Sequence, residues 1–312
     1  MNISSFCQET MCYIGQNLVF EEASNVINNL TGTSVNAKQI ERICHLYGGL
    51  LEEENQKRIE NIHHREYSKE DSTALHYVMA DGAMFSTREK NEPWKEIKLA
   101  RVFKAKDILY LNKDKKFVEK SVYVAHLGAS KDFFPKLEYE IENLKNLVII
   151  SDGARWIWNW AEDNYPNSIQ ILDYYHAKEH LCEFAKDYFK DESQRTKWIE
   201  IQTKLWLEEV PESVIENIKA LEFNQKYEDK KRILLNYYTT NIDRMRYKNF
   251  ITNGLIIGSG AIESAHKSVL QARLKLSGQH WSKIGLQQMA QLRVVYKSND
   301  LCRLKEIIIN AA

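Results

Sequence analysis

Hydrophobic and polar positions divide the chain into a helical first part, a strand-rich middle and a helical last part. Apolar residues recur at helical spacing from Phe20 to Leu30, and a second helical pattern follows a turn at residues 31–36. Ser34 or Asn36 is a candidate N-cap of that second helix. A helix-turn-helix has this pattern, and so does an ordinary helical hairpin, which is the commoner structure.

Short apolar runs replace the helical pattern beyond the highly charged stretch at residues 51–72. Runs rich in β-branched and aromatic residues predict strands, and longer apolar periods predict helices. The first three predicted strands have no long connections between them, which indicates an antiparallel meander, whereas the later alternation of strand and helix indicates parallel crossovers. The predicted strands are 75–85, 94–105, 117–129, one opening at 146 and one opening at 168, and the predicted helices between them are 131–144 and 155–165.

Three strands, a helix, a strand, a helix and a strand form the element order of an RNase H-like core. We therefore expect the α/β class, with a mixed five-stranded sheet and flanking helices. A helical pattern broken at Pro211 follows the fifth strand, and two more helices are predicted at 261–276 and about 282–298. The expected division is an N-terminal helical segment at 1–72, the first part of the core at 73–177, an all-helical insertion at 178–250 and a C-terminal helical part of the core at 251–312.

Composition narrows the class of protein. The 312 residues are 44% hydrophobic, which is ordinary for a globular chain. The five cysteines include no CxxC pair, so we expect reduced thiols and neither a disulfide framework nor a zinc site. No apolar run approaches the roughly 20 residues of a membrane span, and the first 20 residues lack the basic start of a signal peptide. We therefore expect a protein of the cytoplasm that contacts no membrane.

Charge is distributed unevenly although 43 basic residues balance 43 acidic ones. Residues 244–312 hold 11 Lys and Arg against 3 Asp and Glu, whereas residues 183–230 hold 8 against 12. A basic segment in a neutral protein suggests a polyanion bound on one face. A solvated helix surface would give the same count.

Three acids stand at positions suited to chemistry. Asp81 lies in the first predicted strand and Asp152 at the end of the fourth, and each is followed by glycine. Glu263 lies in the first turn of a helix, after the turn at residues 258–260. Ligand sites form outside the ends of strands in α/β cores, and hard divalent cations prefer carboxylate oxygens. Asp-Gly pairs are also common in turns, and an acid near a helix start is favourable in itself, so each acid alone also fits a structural role.

Asp173 ends the fifth predicted strand, and His176 follows three residues later. His176 and His180 share a helix face at i, i+4 spacing, so a zinc site that includes Glu179 is one interpretation. An alternative is that Asp173 and His176 orient the acid cluster or contact a phosphate. A third is simple helix capping by Asp173.

Basic and aromatic side chains follow Glu263. His266 and Lys267 lie three and four residues beyond it and share its helix face. Cations beside a metal site suit a phosphate backbone, and an exposed aromatic ring can stack on an unpaired base. A tryptophan is more often part of the core. The candidate DNA-binding residues are Lys267, Arg273, Lys275 and Trp281, and His266 is a candidate for contact with DNA or with the acids.

Several motifs together resemble the DDE transposases of Kra-type bacterial insertion sequences. They are DGAMF, SDGARW, LDYYHAKEHL, NIDRMRY, QMAQLR and the most specific block, GSGAIES followed by RLKLSGQHW. The resemblance runs from about residue 20 to the end. It implies an RNase H-like catalytic core with Asp81, Asp152 and Glu263 as the metal-binding triad, and it relates Asp173 and His176 to the D-x-x-H signature of some DDE superfamilies.

The resemblance also implies a reaction. The expected function is metal-dependent cleavage and strand transfer of DNA with two Mg²⁺ or Mn²⁺ ions, acting on double-stranded element ends and target DNA in the bacterial cytoplasm. A second copy of the chain is a candidate partner in the DNA complex. The alternatives are a DNA-binding protein derived from a shortened transposase and a structure-selective nuclease on the same core. Such transposases usually have a longer N-terminal region, so we expect either a shortened copy or an internal start.

Overall fold

Two compact units make up the chain. The computed structural model describes residues 3–61, 68–112, 116–208, 210–222 and 225–311. The first unit comprises Met1–Asn146 and Ala261–Ala312, and the second comprises Leu147–Gly260. The second unit is thus inserted into the sequence of the first. Nowhere in the described residues is a helix both long and apolar enough to cross a membrane.

The first unit begins with helices that pack on one another through apolar faces. Of the two candidate N-caps, Ser34 and Asn36, the cap is Asn36. Its side chain accepts a hydrogen bond from the backbone N–H of Gln39 at 2.9 Å, and the Gln39 side chain accepts one from the backbone N–H of Asn36. Gly32 ends the preceding helix in the left-handed conformation, with φ of 67°. The helices are α1 (Ser5–Gly15), α2 (Phe20–Thr31), α3 (Ala37–Glu60) and the short α4 (Lys69–Thr73).

An antiparallel meander follows, as predicted. Strands β1 (Leu75–Ser86) and β2 (Trp94–Lys104) pair with Asp81 opposite Leu99, and β2 also pairs with a third long strand. The centres of β1 and β2 are buried on both faces, which explains their nearly continuous apolar runs.

The predicted strand at 117–129 is wrong as a single element. Residues there are divided between a separate hairpin, β3 (Ile108–Tyr110) with β4 (Lys116–Val118), and β5 (Val122–Leu127), the meander's third strand. The polar residues 119–121 interrupt the pairing, because Arg101 donates to the Ser121 hydroxyl at 2.9 Å and to the Val118 carbonyl. Helix α5 (Ser130–Ile141) then follows β5.

The second unit begins with a parallel strand–helix–strand element. Strand β6 (Asn146–Ser151) pairs in parallel with β7 (Ile169–Leu172), and α6 (Arg155–Asn164) connects them. The chain thus has the five strands of a mixed sheet and the intervening helices in the predicted order, which confirms the α/β fold class.

Helices form the rest of the second unit. The described residues of 178–250 contain helices and no strand. Their core is aromatic, since the buried ring of Trp206 contacts the rings of Tyr238 and Tyr247 edge to face. The helices are α7 (Tyr174–Tyr188), α8 (Glu192–Glu208), α9 (Pro211–Lys219), α10 (Gln225–Thr240) and α11 (Tyr247–Thr252), with a 3₁₀ turn at Ile242–Met245.

The C-terminal segment completes the first unit. The single helix predicted at 261–276 is interrupted by a π-helical stretch, His266–Gln271, whereas the helix predicted at about 282–298 is confirmed. Helix α14 packs on α3 and β5, and Gly48 of α3 lies directly against the backbone of Gln288. The elements are α12 (Gly260–Ala265), the π-helical stretch, α13 (Ala272–Leu274), α14 (Lys283–Lys297) and α15 (Leu301–Ala311), of which the last was not predicted.

Arg293 of α14 stabilises the π-helical stretch from inside the core. Its side chain is 2% exposed and donates to the carbonyls of Ser268 at 2.5 Å and Val269 at 2.6 Å. It also donates to the carbonyl of Gln16, at the end of α1, at 2.9 Å. Burial lowers the pKa of Arg293 to about 10, and the nearby Arg273 adds to the effect. The guanidinium therefore stays charged at neutral pH and bonds several carbonyl groups at once.

Candidate active site

Asp152 lies directly after β6, where the buried apolar run ends. Its Oδ1 accepts hydrogen bonds from the backbone N–H of Ala154 at 3.0 Å and from the hydroxyl of Ser151 at 3.4 Å. Its second carboxylate oxygen accepts no hydrogen bond from any described residue. Asp152 is thus held through one oxygen, and the other is available to a ligand.

Asp173 has a different environment at the end of β7. Its side chain is buried at 2% exposure and caps α7 by accepting from the backbone N–H of Tyr175 at 2.8 Å. The hydroxyl of Ser259 donates to its other oxygen. Both carboxylate oxygens are therefore engaged, and Asp173 joins the start of α7 to the loop at 258–260, which agrees with the capping interpretation.

Close packing against Tyr175 leaves no room for a side chain at Gly258 in that loop. A Cβ at this position would lie 2.6 Å from Cε2 of Tyr175. The neighbouring Ile257 accepts a hydrogen bond from the backbone of Tyr174 at 3.0 Å. The glycine and serine of the GSG motif thus have structural roles beside Asp173.

Three rings line the face of α7 and α10 near Asp152. The rings of His176 and His180 lie 4.8 Å apart, and the ring of Tyr237 lies 4.8 Å from His180. Burial, followed by the proximity of His176, lowers the pKa of His180. Burial, followed by the charges of Asp152 and Asp173, raises the pKa of Tyr237. Both shifts favour the neutral forms of His180 and Tyr237.

Asp81 lies against a buried histidine in the first unit. The Nε2 atom of His266 is 3.5 Å from Oδ2 of Asp81, and Oδ1 accepts a hydrogen bond from the N–H of Gly82 at 2.6 Å. Burial lowers the pKa of His266 to about 4, so the imidazole is neutral at pH 7. The Asp81 side chain remains 40% exposed. His266 therefore contacts one of the predicted acids from inside the protein, as a neutral ring.

Glu263 and two predicted cations lie on the surface of the same unit. Glu263, Lys267 and Lys275 are exposed. A second acid, Glu96, approaches Gly82 closely enough that a Cβ there would overlap its carboxylate, and it forms an ion pair with Lys98. The first unit thus has acidic and basic side chains around the Asp81 strand.

Arg273 and Trp281 do not form a DNA-binding surface, and this prediction is corrected. Arg273 is 1% exposed, donates to the carbonyl of Gly15 at 3.1 Å and lies over the rings of Phe20 and Trp281 at 4.7 and 5.2 Å. Trp281 is 6% exposed and donates to the carbonyl of Leu274 at 3.1 Å. A buried cation that contacts the half-buried Phe20 ring and the buried Trp281 ring stabilises the packing of the core.

Among the described side chains, no three or more His, Cys, Asp or Glu residues are grouped closely enough to hold a metal ion. The zinc interpretation of His176, Glu179 and His180 therefore has no support. Asp81 and Glu263 belong to the first unit and Asp152 to the second, so the predicted convergence of the three acids stays a prediction.

Sequence reasoning missed three residues at these positions. Ser259 could have been found from its place between two glycines in the predicted turn at residues 258–260. Glu96 could have been found from its position in the strand paired with that of Asp81. Tyr237 carries no local signal, since its role depends on α10 packing against the turn after Asp152.

Comparison with known proteins gives a family. No curated protein matches the chain. Among solved structures, the chain is similar to the Drosophila P element transposase strand transfer complex, with 8% identity, a TM-score of 0.47 and coverage of 96% of this chain and 93% of that one. That likeness carries no conclusion about activity. Residues 18–308 match the family described as Uncharacterised protein family (UPF0236), and the chain belongs to that family.

Proposed function

We propose that the chain is a DNA transposase of the DDE type, which cleaves phosphodiester bonds and transfers strands of an insertion sequence. The observation that carries the proposal is the environment of Asp152, a carboxylate at the end of a buried strand with one oxygen that no described residue engages. Asp81, the second acid, is partly exposed and backed by neutral His266. The resemblance to Kra-type elements gives the proposal its finer identity.

Asp81, Asp152 and Glu263 are the proposed ligands of two Mg²⁺ or Mn²⁺ ions. The chemistry of the donor set fits, because carboxylate oxygens are the ligands that these cations prefer. When bound, such ions supply charge stabilisation to the attacking and leaving oxygens of a phosphodiester. The three carboxylates would hold the metal ions at the site, and the His266 ring limits the orientations of the Asp81 carboxylate.

Double-stranded DNA is the proposed partner, at element ends and at the target site. Lys267 and Lys275 are the exposed cations nearest in sequence to Glu263, and such residues bind phosphates without reading sequence. A second copy of the chain in the DNA complex is part of the same proposal.

Cleavage of a labelled duplex tests the proposal. Wild-type protein should nick or cut the duplex with Mg²⁺ or Mn²⁺, whereas Asp81→Asn and Asp152→Asn should not. Both variants should bind the duplex at least as tightly as wild type in Ca²⁺, because each removes a negative charge that repels phosphate. If wild type binds without cleaving, the DNA-binding alternative is correct. If it cleaves only branched or flapped DNA and joins no strands, the nuclease alternative is correct.

A further inference from the structure

Tyr237 carries a hydroxyl group that lacks a hydrogen-bond partner. Its Oη is buried, and among the described residues it bonds to nothing. Buried polar atoms in folded proteins nearly always have a partner, so an orphan group requires an explanation. The neighbouring Tyr238 has no such deficit, because its hydroxyl donates to the carbonyl of Ala177 at 2.9 Å.

The Tyr237 ring packs directly on the turn that follows Asp152. A Cβ on Gly153 would overlap the ring and would lie 2.9 Å from Oη. Helix α10 therefore delivers the phenol to the end of β6, and glycine at position 153 makes this approach feasible. The ring of His180 contacts the other side of Tyr237, with centroids 4.8 Å apart.

Besides burial, the charges of two carboxylates, Asp152 and Asp173, raise the pKa of this phenol, and only Asp152 has an oxygen without a hydrogen-bond partner among the described residues. Asp173 uses both oxygens, one for the N–H of Tyr175 and one for the hydroxyl of Ser259. Asp152 uses Oδ1 alone. An unpartnered donor thus packs against Gly153, and the residue directly before Gly153 carries an oxygen without a partner among the described residues.

We propose that Tyr237 is a positioning residue for Asp152, whose hydroxyl donates to the free carboxylate oxygen when Asp152 turns toward its ligand. The inference rests on the proposed function, because the ligand is the metal ion proposed there. A carboxylate held at both oxygens has fewer orientations, and such supporting hydrogen bonds typically change metal affinity or activity about 10- to 100-fold. Helix α10 would then contribute to catalysis by holding Asp152 in place.

Tyr237→Phe and Tyr238→Phe form a matched pair for the test. Both variants are made in the full chain, which is saturated with a labelled duplex. Free Mn²⁺ is counted by electron paramagnetic resonance, and cleavage is followed in the same samples. Tyr237→Phe should weaken Mn²⁺ binding about tenfold or more and raise the Mn²⁺ concentration for half-maximal cleavage equally, at unchanged thermal stability. Tyr238→Phe should lower the melting temperature and leave Mn²⁺ affinity unchanged.

Coupling to Asp152 separates a positioning role from a packing role. In an Asp152→Asn background, Tyr237→Phe should weaken Mn²⁺ binding no further. In an Asp81→Asn background, Tyr237→Phe should weaken Mn²⁺ binding by the same factor as in the wild type. If wild type binds Mn²⁺ and Tyr237→Phe binds it within twofold, the inference alone is overturned. Failure of Tyr237→Phe to fold would also overturn it, since the hydroxyl would then have a structural partner. If wild type neither binds Mn²⁺ nor cleaves, the proposed function fails and the inference fails with it.

Discussion

Replacing Arg293 with methionine should destabilise the first unit severely. The guanidinium donates to the backbone carbonyls of Ser268, Val269 and Gln16 and to the side-chain oxygens of Gln16 and Asn17. A hydrogen bond from a charged group contributes about 1.5–3 kcal/mol, and methionine would remove the donor from three carbonyls. The cost of burying an unpaired cation offsets part of this loss. We therefore expect the free energy of unfolding to fall by about 3–5 kcal/mol.

Urea unfolding followed by far-ultraviolet circular dichroism measures this change, with the slope of the transition checked for constancy. Arg293→Lys should give an intermediate loss, because an ammonium group keeps the charge and cannot reach carbonyls on two elements together. Arg42→Met is the matched control, since Arg42 is exposed and should change stability by about 0.5 kcal/mol or less. A loss below about 1 kcal/mol in Arg293→Met would show that water or backbone rearrangement satisfies the carbonyls, and the reasoning would be wrong.

Three further outcomes are expected. Gly48→Ala should lower the urea midpoint and reduce the free energy of unfolding by about 1–3 kcal/mol, because a Cβ would overlap the backbone of α14. A Cβ in Gly49→Ala would meet only a flexible side-chain amide, so this control should be nearly neutral. Equal effects of the two substitutions would contradict the prediction. Lys267→Ala should weaken duplex binding for every sequence and reduce the salt slope by up to about one, measured by filter binding, and unchanged binding would exclude a phosphate contact. Burial, and after it the positive charge of Lys136, lowers the pKa of His126 to about 4. As pH falls below about 6.5, the unfolded state therefore binds nearly one more proton than the folded state, and the free energy of unfolding should decline from pH 6.5 to 4. His126→Gln should flatten that decline in urea titrations.

Local pattern predicted the elements whose burial is uniform. Strands β1, β2 and β6 and helix α14 were found because their apolar runs or periods persist over most of their length. The β3–β4 hairpin was missed because its apolar residues are exposed, with Tyr110 66% and Leu111 62% exposed. In the sequence, exposed apolar residues cannot be told from the buried ones of β5, the strand that follows. The π-helical stretch could not be predicted, because it depends on Arg293, more than 20 residues away.

The candidate site was predictable where chemistry coincides with an element end. Asp81 and Asp152 could be chosen because each falls at a predicted strand of one α/β core, where ligand sites form. The burial of Arg273 could not be predicted from adjacent residues in the sequence, because it depends on contacts with Phe20 and Gly15, more than 250 residues earlier. Charge counts therefore overstated the basic surface of the C-terminal segment.

The interrupted sequence of the first unit has a consequence for biosynthesis. Gln16 and Arg293 bond to each other although 277 residues separate them. At about 5–20 residues per second, the ribosome needs roughly 14–55 s to synthesise the intervening chain. During that time α1 and α3 exist without the surface of α14 that covers them, and the strand carrying Asp81 exists without His266. A chain that ends before residue 261 lacks Glu263, His266 and α14 and therefore cannot complete the first unit.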